Sequence, residues 1–356
     1  MSQLFTPTQI GRYTIQNRMV MAPMTRSRAD DAGVPSELVS IYYGQRASAG
    51  LIISEGVFPS AMGKGYVRTP GIETDAQVTA WKKVTEAVHA KGGRIFMQVM
   101  HCGRISHPSL LPNDAQPVAP SAIKAAGQTW TGAGMQEFVI PRELSVEEIA
   151  GVVNDYRMAT RRALEAGFDG VELHTASGYL PEQFLSSGTN KRQDQYGGSV
   201  ANRVRFVLEV LAAMVAEAGG DRVGIKISPE MGFNDTMDAN PQETYTYLVD
   251  QLKDLNVAYL HVALFGAKVD YHALLRPRFN GAYLIGGGLD QKAAEAALTE
   301  GRANAAVFGG AFLANPDLPE RFRQGAALNA PNKDSFYAPG AQGYTDYPFL
   351  NATQAA

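Results

Sequence analysis

Residues 145–179 read SVEEIAGVVNDYRMATRRALEAGFDGVELHTASGY, and this stretch decides the fold. Apolar residues recur at helical spacing over Ser145–Ala166, which opens with a serine suited to cap a helix. The short apolar run Gly170–His174 predicts a strand, and a polar turn follows it up to Tyr179. A helix followed by a strand that is apolar on both faces is the repeating unit of a parallel sheet covered by helices.

The same alternation extends over the rest of the chain. Strands are predicted at Arg18–Met24, Leu51–Ser54, Arg94–Val99, Gly170–His174, Val223–Ser228, Ala258–Val262, Tyr283–Gly286 and Ala305–Phe308. Helices are predicted at Ser36–Ala49, Asp75–Lys91, Ser145–Ala166, Asn202–Ala218, Gln242–Leu255, Asp290–Glu300 and Asp317–Gln324. Eight evenly spread strands favour a closed (β/α)8 TIM barrel over a doubly wound sheet, and no G-x-G-x-x-G follows the first strand.

One long segment interrupts the alternation. Residues His107–Arg142 follow strand 3 and are rich in Pro, Gly, Ser and Ala. We expect this excursion to cap one end of the barrel, because long ordered loops of this kind lie over functional surfaces. The expected organisation is a single (β/α)8 barrel domain over residues 1–356, with a capping subregion at about 107–142.

Composition excludes several classes of function. The net charge is −3, with 32 basic and 35 acidic residues in no like-charged run, so neither a nucleic acid nor a membrane surface is an expected partner. Cys102 is the only cysteine, which excludes an intrachain disulfide and fits a reducing compartment. No leader-like or membrane-spanning stretch is evident, so we expect a cytoplasmic protein. His89, His261 and His272 have no partner at ligand spacing, and His101 and His107 lie near a loop, so no metal site is expected.

The chemistry of a parallel barrel lies at the C-terminal ends of its strands. Strand 3 ends at Gln98, strand 4 at His174–Tyr179 and strand 5 at Lys226, whereas strands 7 and 8 end in glycines. Backbone N–H groups of such glycines can bind a phosphate. Together with an amide at Gln98 and a cation at Lys226, they suit a flat heterocycle with a phosphorylated tail, for which FMN is the natural candidate.

Several motifs occur in order from Leu4 to Leu350: APMTR, GLIISE, Q-x-x-H-x-G-R, HTASGY, FLSSGTNKRQDQYGGS, FLANPDLP and GYTDYP. In these motifs the chain resembles the old yellow enzyme family. The resemblance implies an FMN-dependent ene-reductase that takes hydride from NAD(P)H. Its substrates would be small electrophilic alkenes, namely α,β-unsaturated aldehydes and ketones, maleimides and nitro compounds, reduced in a ping-pong cycle. Whether NADH or NADPH is preferred, and whether the protein is a monomer or a homodimer, stay open.

The resemblance also implies roles for individual residues. Tyr179 would donate a proton, His174 and Ser177 would hold the substrate oxygen, and Thr25 would hydrogen-bond the flavin and assist catalysis. The implied FMN-binding residues are Pro23, Met24, Thr25, Gly56, Gln98, Lys226, Gly287, Gly288, Gly309 and Gly310. The implied substrate-binding residues are His174, Ser177, Tyr66, Met100 and Tyr344.

Four positions depart from the family pattern. Lys226 and Gly310 stand where arginines are usual, Ser177 replaces Asn or His, and Met100 replaces an aromatic residue. These changes leave two alternatives open beside a general ene-reductase. One is an FMN enzyme dedicated to a single biosynthetic enone or enal, and the other is a flavin-poor relative that acts as a binding or non-redox protein.

Overall fold

A computed structural model describes residues 2–351 and joins the eight predicted strands into one closed barrel. All strand pairs in it are parallel and link strands consecutive in the chain, and the last strand closes against the first. The predicted (β/α)8 barrel is therefore confirmed. The barrel strands are β1 (Met19–Met21), β2 (Leu51–Val57), β3 (Ile95–Val99), β4 (Gly170–Thr175), β5 (Val223–Ile227), β6 (Tyr259–Ala263), β7 (Ala282–Gly286) and β8 (Ala305–Phe308).

Helices alternate with these strands. Two of the longest begin with capping boxes, in which Thr74 pairs with Gln77 and Ser145 with Glu148, so local sequence fixes where each helix starts. All seven predicted helices are present, and three further helices of five or six residues were not predicted. The helices are α1 (Glu37–Gln45), α2 (Asp75–His89), α3 (Val146–Glu165), α4 (Leu180–Leu185), α5 (Val200–Ala218), α6 (Pro241–Gln251), α7 (Tyr271–Leu275), α8 (Gln291–Thr299), α9 (Gly310–Ala314) and α10 (Leu318–Gln324).

Aromatic rings help to fill the barrel interior. Phe96 and Tyr259 are buried there with ring centroids 5.8 Å apart. Two glycines on neighbouring strands make room for them, because a Cβ on Gly170 would lie 2.5 Å from the Phe96 ring and one on Gly224 would lie 2.1 Å from the Tyr259 ring. The interior is a packed core and not a channel, as is usual for this fold.

A hairpin that was not predicted, Thr8–Ile10 with Tyr13–Ile15, closes the N-terminal end of the barrel. Ile10 packs in the same cluster as the barrel interior, and Tyr13 meets the Phe96 ring edge-on at 6.2 Å. Since this end is plugged, the opposite end, where the strands terminate, is left for the functional site.

The excursion after β3 forms two small pairs of strands. Within the excursion after β3, Val118–Ala119 pairs with Arg142–Glu143, and Gln128–Trp130 forms a hairpin with Met135–Glu137. Buried Arg104 ties the excursion to the loop after β5 by donating to the carbonyls of Ile123 at 3.1 Å and of Asp235 at 2.6 Å. That the whole chain forms one domain with this capping subregion stays a prediction.

Arginines hold the C-terminal segment. Arg26 donates to the Gly343 carbonyl at 2.8 Å, and Arg28 donates to the Ser335 carbonyl at 2.9 Å.

None of the helices in the described part of the chain combines the length and apolar character that a membrane span requires.

Candidate active site

The strand register gathers the predicted polar residues at the C-terminal mouth of the barrel. His174 on β4 lies opposite Lys226 on β5, which lies opposite His261 on β6. Gln98 on β3 lies opposite Glu172 on β4. The barrel strands are buried except at Lys226, whereas Pro23, Met24 and Thr25 after β1 are half-buried. Of the glycines after β7 and β8, Gly287 and Gly309 are half-buried and Gly288 and Gly310 are exposed. The predicted residues therefore converge on one open end.

Glu172 organises the floor of this site. Its carboxylate is fully buried, accepts a 2.7 Å hydrogen bond from Gln98 Nε2 and lies 3.1 Å from His261 Nδ1. Burial lowers the pKa of His261, and the neighbouring carboxylate opposes that shift. The Gln98 amide is thus held by one N–H, which leaves its carbonyl and second N–H for a ligand.

Lys226 places a cationic side chain beside His174 and His261 at the barrel mouth. Burial lowers the pKa of its ammonium group, and the charge of Glu172 acts in the opposite direction. Within residues 2–351 its side chain forms no hydrogen bond, so its donors remain available to an acceptor at the barrel mouth.

His174 and Tyr179 meet above this floor. Their rings are edge-to-face with centroids 5.0 Å apart, and the buried Nδ1 of His174 has no hydrogen-bond partner among the described residues. Burial, followed by the charges of Lys226 and His261, lowers the pKa of His174 well below its ordinary value. A neutral imidazole can donate a hydrogen bond to a substrate oxygen without surrendering its proton.

The turn between these two residues is held by contacts from several elements. Ser177 has a left-handed backbone, φ 58°, its N–H donates to Ser228 Oγ at 2.9 Å, and its carbonyl accepts from Asn234 Nδ2 at 2.8 Å. The next amide, of Gly178, donates to the buried Glu182 carboxylate at 2.6 Å. Burial raises the pKa of Glu182 to about 7. This turn fixes the direction of the Ser177 hydroxyl, which lies 3.6 Å from the Met231 sulfur.

The Tyr179 hydroxyl is paired with a second phenol. It lies 2.9 Å from the Tyr66 hydroxyl, and Tyr179 is only 8% exposed. Burial raises the pKa of Tyr179 well above its ordinary value, so the group is protonated at neutral pH. Tyr179 therefore holds a proton beside the neutral imidazole of His174.

The glycines after β7 and β8 differ in the space around them. Gly287 has φ +117°, and a Cβ there would lie 2.0 Å from the Leu264 carbonyl oxygen, so only glycine fits. At Gly310 the nearest atom to a Cβ would be Pro331 Cγ, 4.0 Å away, and a side chain would fit. The amides of Gly287, Gly288, Gly309 and Gly310 donate no hydrogen bond to another described residue.

Residues 3–329 match the NADH:flavin oxidoreductase / NADH oxidase family. The chain belongs to the old yellow enzyme family. It is 41% identical over 361 residues to 12-oxophytodienoate reductase 2 of Arabidopsis thaliana, covering 98% of this chain and 96% of that one. The predicted family and its class, FMN-dependent NAD(P)H oxidoreductases, are confirmed.

Solved structures of the old yellow enzyme family share the whole fold. Morphinone reductase in complex with tetrahydroNAD superposes with a TM-score of 0.95 at 49% identity, covering 99% of each chain. The old yellow enzyme homologue from Zymomonas mobilis gives a TM-score of 0.95 at 40% identity, covering 98% of this chain and 100% of that one.

FMN, the cofactor of the old yellow enzyme family, fits the donors at the mouth. A flavin carries ring carbonyls and a phosphate, and the mouth offers the Lys226 ammonium, the free groups of the Gln98 amide and four glycine amides. The Thr25 hydroxyl also forms no hydrogen bond within residues 2–351. These unpaired donors are what a polar, phosphorylated ring requires.

Three residues predicted by likeness to the old yellow enzyme family are packed away from open space. Tyr344 is fully buried and stacks on Tyr42 at 4.1 Å, with the Arg28 guanidinium 4.6 Å from its ring centroid. Met100 is 4% exposed and packs against Gly56, where a Cβ would lie 2.5 Å from the Met100 methyl group. Packing explains all three positions, and their predicted contacts with substrate or FMN stay predictions.

Sequence reasoning missed three residues that hold the old yellow enzyme site together, namely Glu172, Glu182 and Asn234. Glu172 carried a usable signal, because a carboxylate within an apolar parallel strand needs a buried partner. Glu182 and Asn234 carried none, since their partners depend on how the loops fold.

Proposed function

We propose that this chain reduces C=C bonds activated by an adjacent carbonyl or nitro group, with NAD(P)H as the hydride source in a ping-pong cycle. The substrates are α,β-unsaturated aldehydes and ketones, maleimides and nitro compounds. The observation that carries this proposal is the pairing of a neutral, hydrogen-bond-donating His174 with a protonated Tyr179, 5.0 Å apart between ring centroids at the barrel mouth.

Each residue has a part in the reaction. His174 and Ser177 donate hydrogen bonds to the substrate oxygen and stabilise the negative charge that develops on it. Tyr179 gives its hydroxyl proton to Cα, where the electron pair of the alkene is left after attack at Cβ. FMN, when bound, supplies the hydride that reaches Cβ.

The cofactor contacts are also proposed residue by residue. Gln98 holds the pyrimidine edge of the ring, Lys226 stabilises negative charge on its reduced form, and Thr25 hydrogen-bonds a ring carbonyl. Pro23, Met24 and Gly56 line the ring through their backbones. The amides of Gly287, Gly288, Gly309 and Gly310 bind the phosphate.

One observation favours a narrower substrate range. The short Ser177 side chain leaves the space of a longer residue, and Met231 lies in contact with it at 3.6 Å. A serine in place of the family's usual Asn or His therefore changes the shape of the pocket beside the substrate oxygen, as an enzyme dedicated to one substrate would require. An enzyme dedicated to one enone or enal would reduce that substrate far faster than small unhindered enones such as 2-cyclohexenone, so a panel of enones of increasing bulk separates the two candidates.

Isotope placement tests the proposed chemistry. With deuterated NADH and 2-cyclohexenone, one deuterium is expected at Cβ of the product. With unlabelled NADH in D2O, deuterium is expected at Cα, because Tyr179 exchanges its proton with solvent. Label at the opposite carbons, or reduction at the carbonyl instead of the alkene, would show that the assignment of donors is wrong.

A monomer or homodimer and a cytoplasmic location are also proposed, the latter because the single Cys102 suits a reducing compartment.

A further inference from the structure

Tyr66 contributes more than an apolar wall. Its hydroxyl lies 2.9 Å from that of Tyr179, and the two rings are perpendicular with centroids 6.3 Å apart. Within residues 2–351 the Tyr179 hydroxyl forms no other hydrogen bond. A phenol both donates and accepts, so the pair can reverse its direction when the charge on either oxygen changes.

The surroundings of Tyr179 do not favour a phenolate. Burial is the largest cause that raises the pKa of Tyr179, and the strongest nearby influences, Tyr66 and Cys102, raise it further. Once Tyr179 has given up its proton, its oxygen is a buried anion that needs a hydrogen-bond donor. Tyr66 is the donor in reach.

Tyr66 also connects Tyr179 with the substrate turn and with solvent. It is half-buried, whereas Tyr179 is buried, so it lies on the solvent side of the pair. Burial raises the pKa of Tyr66, and hydrogen bonding with the Tyr179 and Asn234 side chains opposes that shift. The Asn234 side chain also donates to the Ser177 carbonyl at 2.8 Å. One amide therefore braces both the phenol pair and the turn that carries Ser177.

We propose that Tyr66 is a positioning residue that orients the Tyr179 hydroxyl, stabilises the phenolate left by proton transfer and returns a proton to it. The Tyr179 O–H bond breaks as the Cα–H bond of the product forms. The Tyr66 O–H proton then passes to the Tyr179 oxygen, and water reprotonates Tyr66. The proposal rests on Tyr179 being the proton donor of the proposed function.

The test uses the FMN-loaded enzyme and measures both half-reactions by stopped flow. Tyr66→Phe is expected to slow flavin reoxidation by 2-cyclohexenone about 10- to 100-fold, because the variant loses one hydrogen bond to a charged oxygen. Flavin reduction by NADPH should stay within about twofold. Asn234→Ala should slow reoxidation by a smaller factor. Tyr247→Phe is the matched control, because the Tyr247 hydroxyl on α6 forms no hydrogen bond within residues 2–351 and Tyr247 is not among the groups that shift the pKa of Tyr66 or Tyr179. It should behave as the wild type.

A proton inventory in H2O/D2O mixtures separates the relay from a packing role. Reoxidation of the wild type should give a curved inventory, because the Tyr66 O–H tightens its hydrogen bond to the developing Tyr179 phenolate while the Tyr179 proton is transferred. Tyr66→Phe should give a linear one. Unchanged reoxidation in Tyr66→Phe, an equal loss in both half-reactions, or an inventory that Tyr66→Phe does not alter would overturn the proposal. Normal reoxidation in Tyr179→Phe would instead show that the proposed proton donor itself is wrong.

Discussion

Tyr179 is buried against His174 and Tyr66, so Tyr179→Phe removes one hydroxyl and keeps the ring contacts. We expect flavin reoxidation by 2-cyclohexenone to slow by about 10²–10⁴-fold, the usual contribution of a positioned general acid. Flavin reduction by NADPH should be nearly unchanged, because that step moves a hydride and needs no proton from Tyr179. Stopped-flow absorbance of each half-reaction checks this, and an equal loss in both would rule out the proton-donor role.

Gly310 is the residue at which the phosphate site can be strengthened. The nearest atom to a Cβ there would be Pro331 Cγ at 4.0 Å, an ordinary van der Waals contact, so the backbone position accepts the side chain of Gly310→Arg. Because a charge-assisted contact to phosphate contributes about 1.5–3 kcal/mol, the FMN dissociation constant should fall about 10- to 100-fold.

Fluorescence titration of the apoprotein with FMN measures this change. Gly287→Ala is the matched control, since its Cβ would lie 2.0 Å from the Leu264 carbonyl oxygen, and we expect it to weaken FMN binding. An unchanged dissociation constant in Gly310→Arg would place the phosphate elsewhere.

Single residues also show how far the sequence predicts the site. Strand topology brings His174, Lys226 and Gln98 to one end of the barrel, and any chain with this alternation would place its strand ends there. Two of the missed residues, Glu172 and Asn234, act on partners far away in the sequence. Glu172 holds Gln98 over a separation of 74 residues, and Asn234 holds Ser177 over 57. No local pattern encodes such contacts.

At the scale of elements, local sequence fixes the long helices. Ser145 caps α3 by accepting the N–H of Glu148, whose side chain in turn accepts the N–H of Ser145. Ser145→Ala should lower the free energy of unfolding by about 1 kcal/mol, measured by urea denaturation. Ser145→Thr keeps the hydroxyl and should stay close to the wild type. Equal stability of the Ala and Thr variants would contradict the capping role.

The helices that were not predicted are those too short for a helical period of apolar residues to be recognised in the sequence. Helix α4 has six residues and α9 has five, fewer than two turns, so no apolar stripe distinguishes them from loop. The hairpin over 8–15 did carry a signal. Gly11 and Arg12 form a two-residue connection between Ile10 and Tyr13, and Gly11 has φ +55°.

At the scale of the whole molecule, the barrel depends on how its interior is packed. Gly224→Ala would put a Cβ 2.1 Å from the Tyr259 ring, so we expect a loss of about 1–3 kcal/mol in the free energy of unfolding from overpacking. Gly151→Ala is the matched control, because this exposed glycine of α3 has nothing within 4 Å of a Cβ. It should stabilise the protein by about 0.5–1 kcal/mol. Urea denaturation of both variants is the measurement, and equal effects would contradict the packing account.

We expect the barrel mouth to hold a flavin that passes electrons from NAD(P)H to an activated alkene. The first measurement to make is the visible absorption spectrum of the purified protein, with FMN added in excess and unbound FMN then removed. The protein should be yellow, should bleach when NADPH is added without oxygen, and should regain its colour when 2-cyclohexenone follows. A protein that stays colourless with FMN, or a bleached flavin that the enone does not reoxidise, would contradict the account.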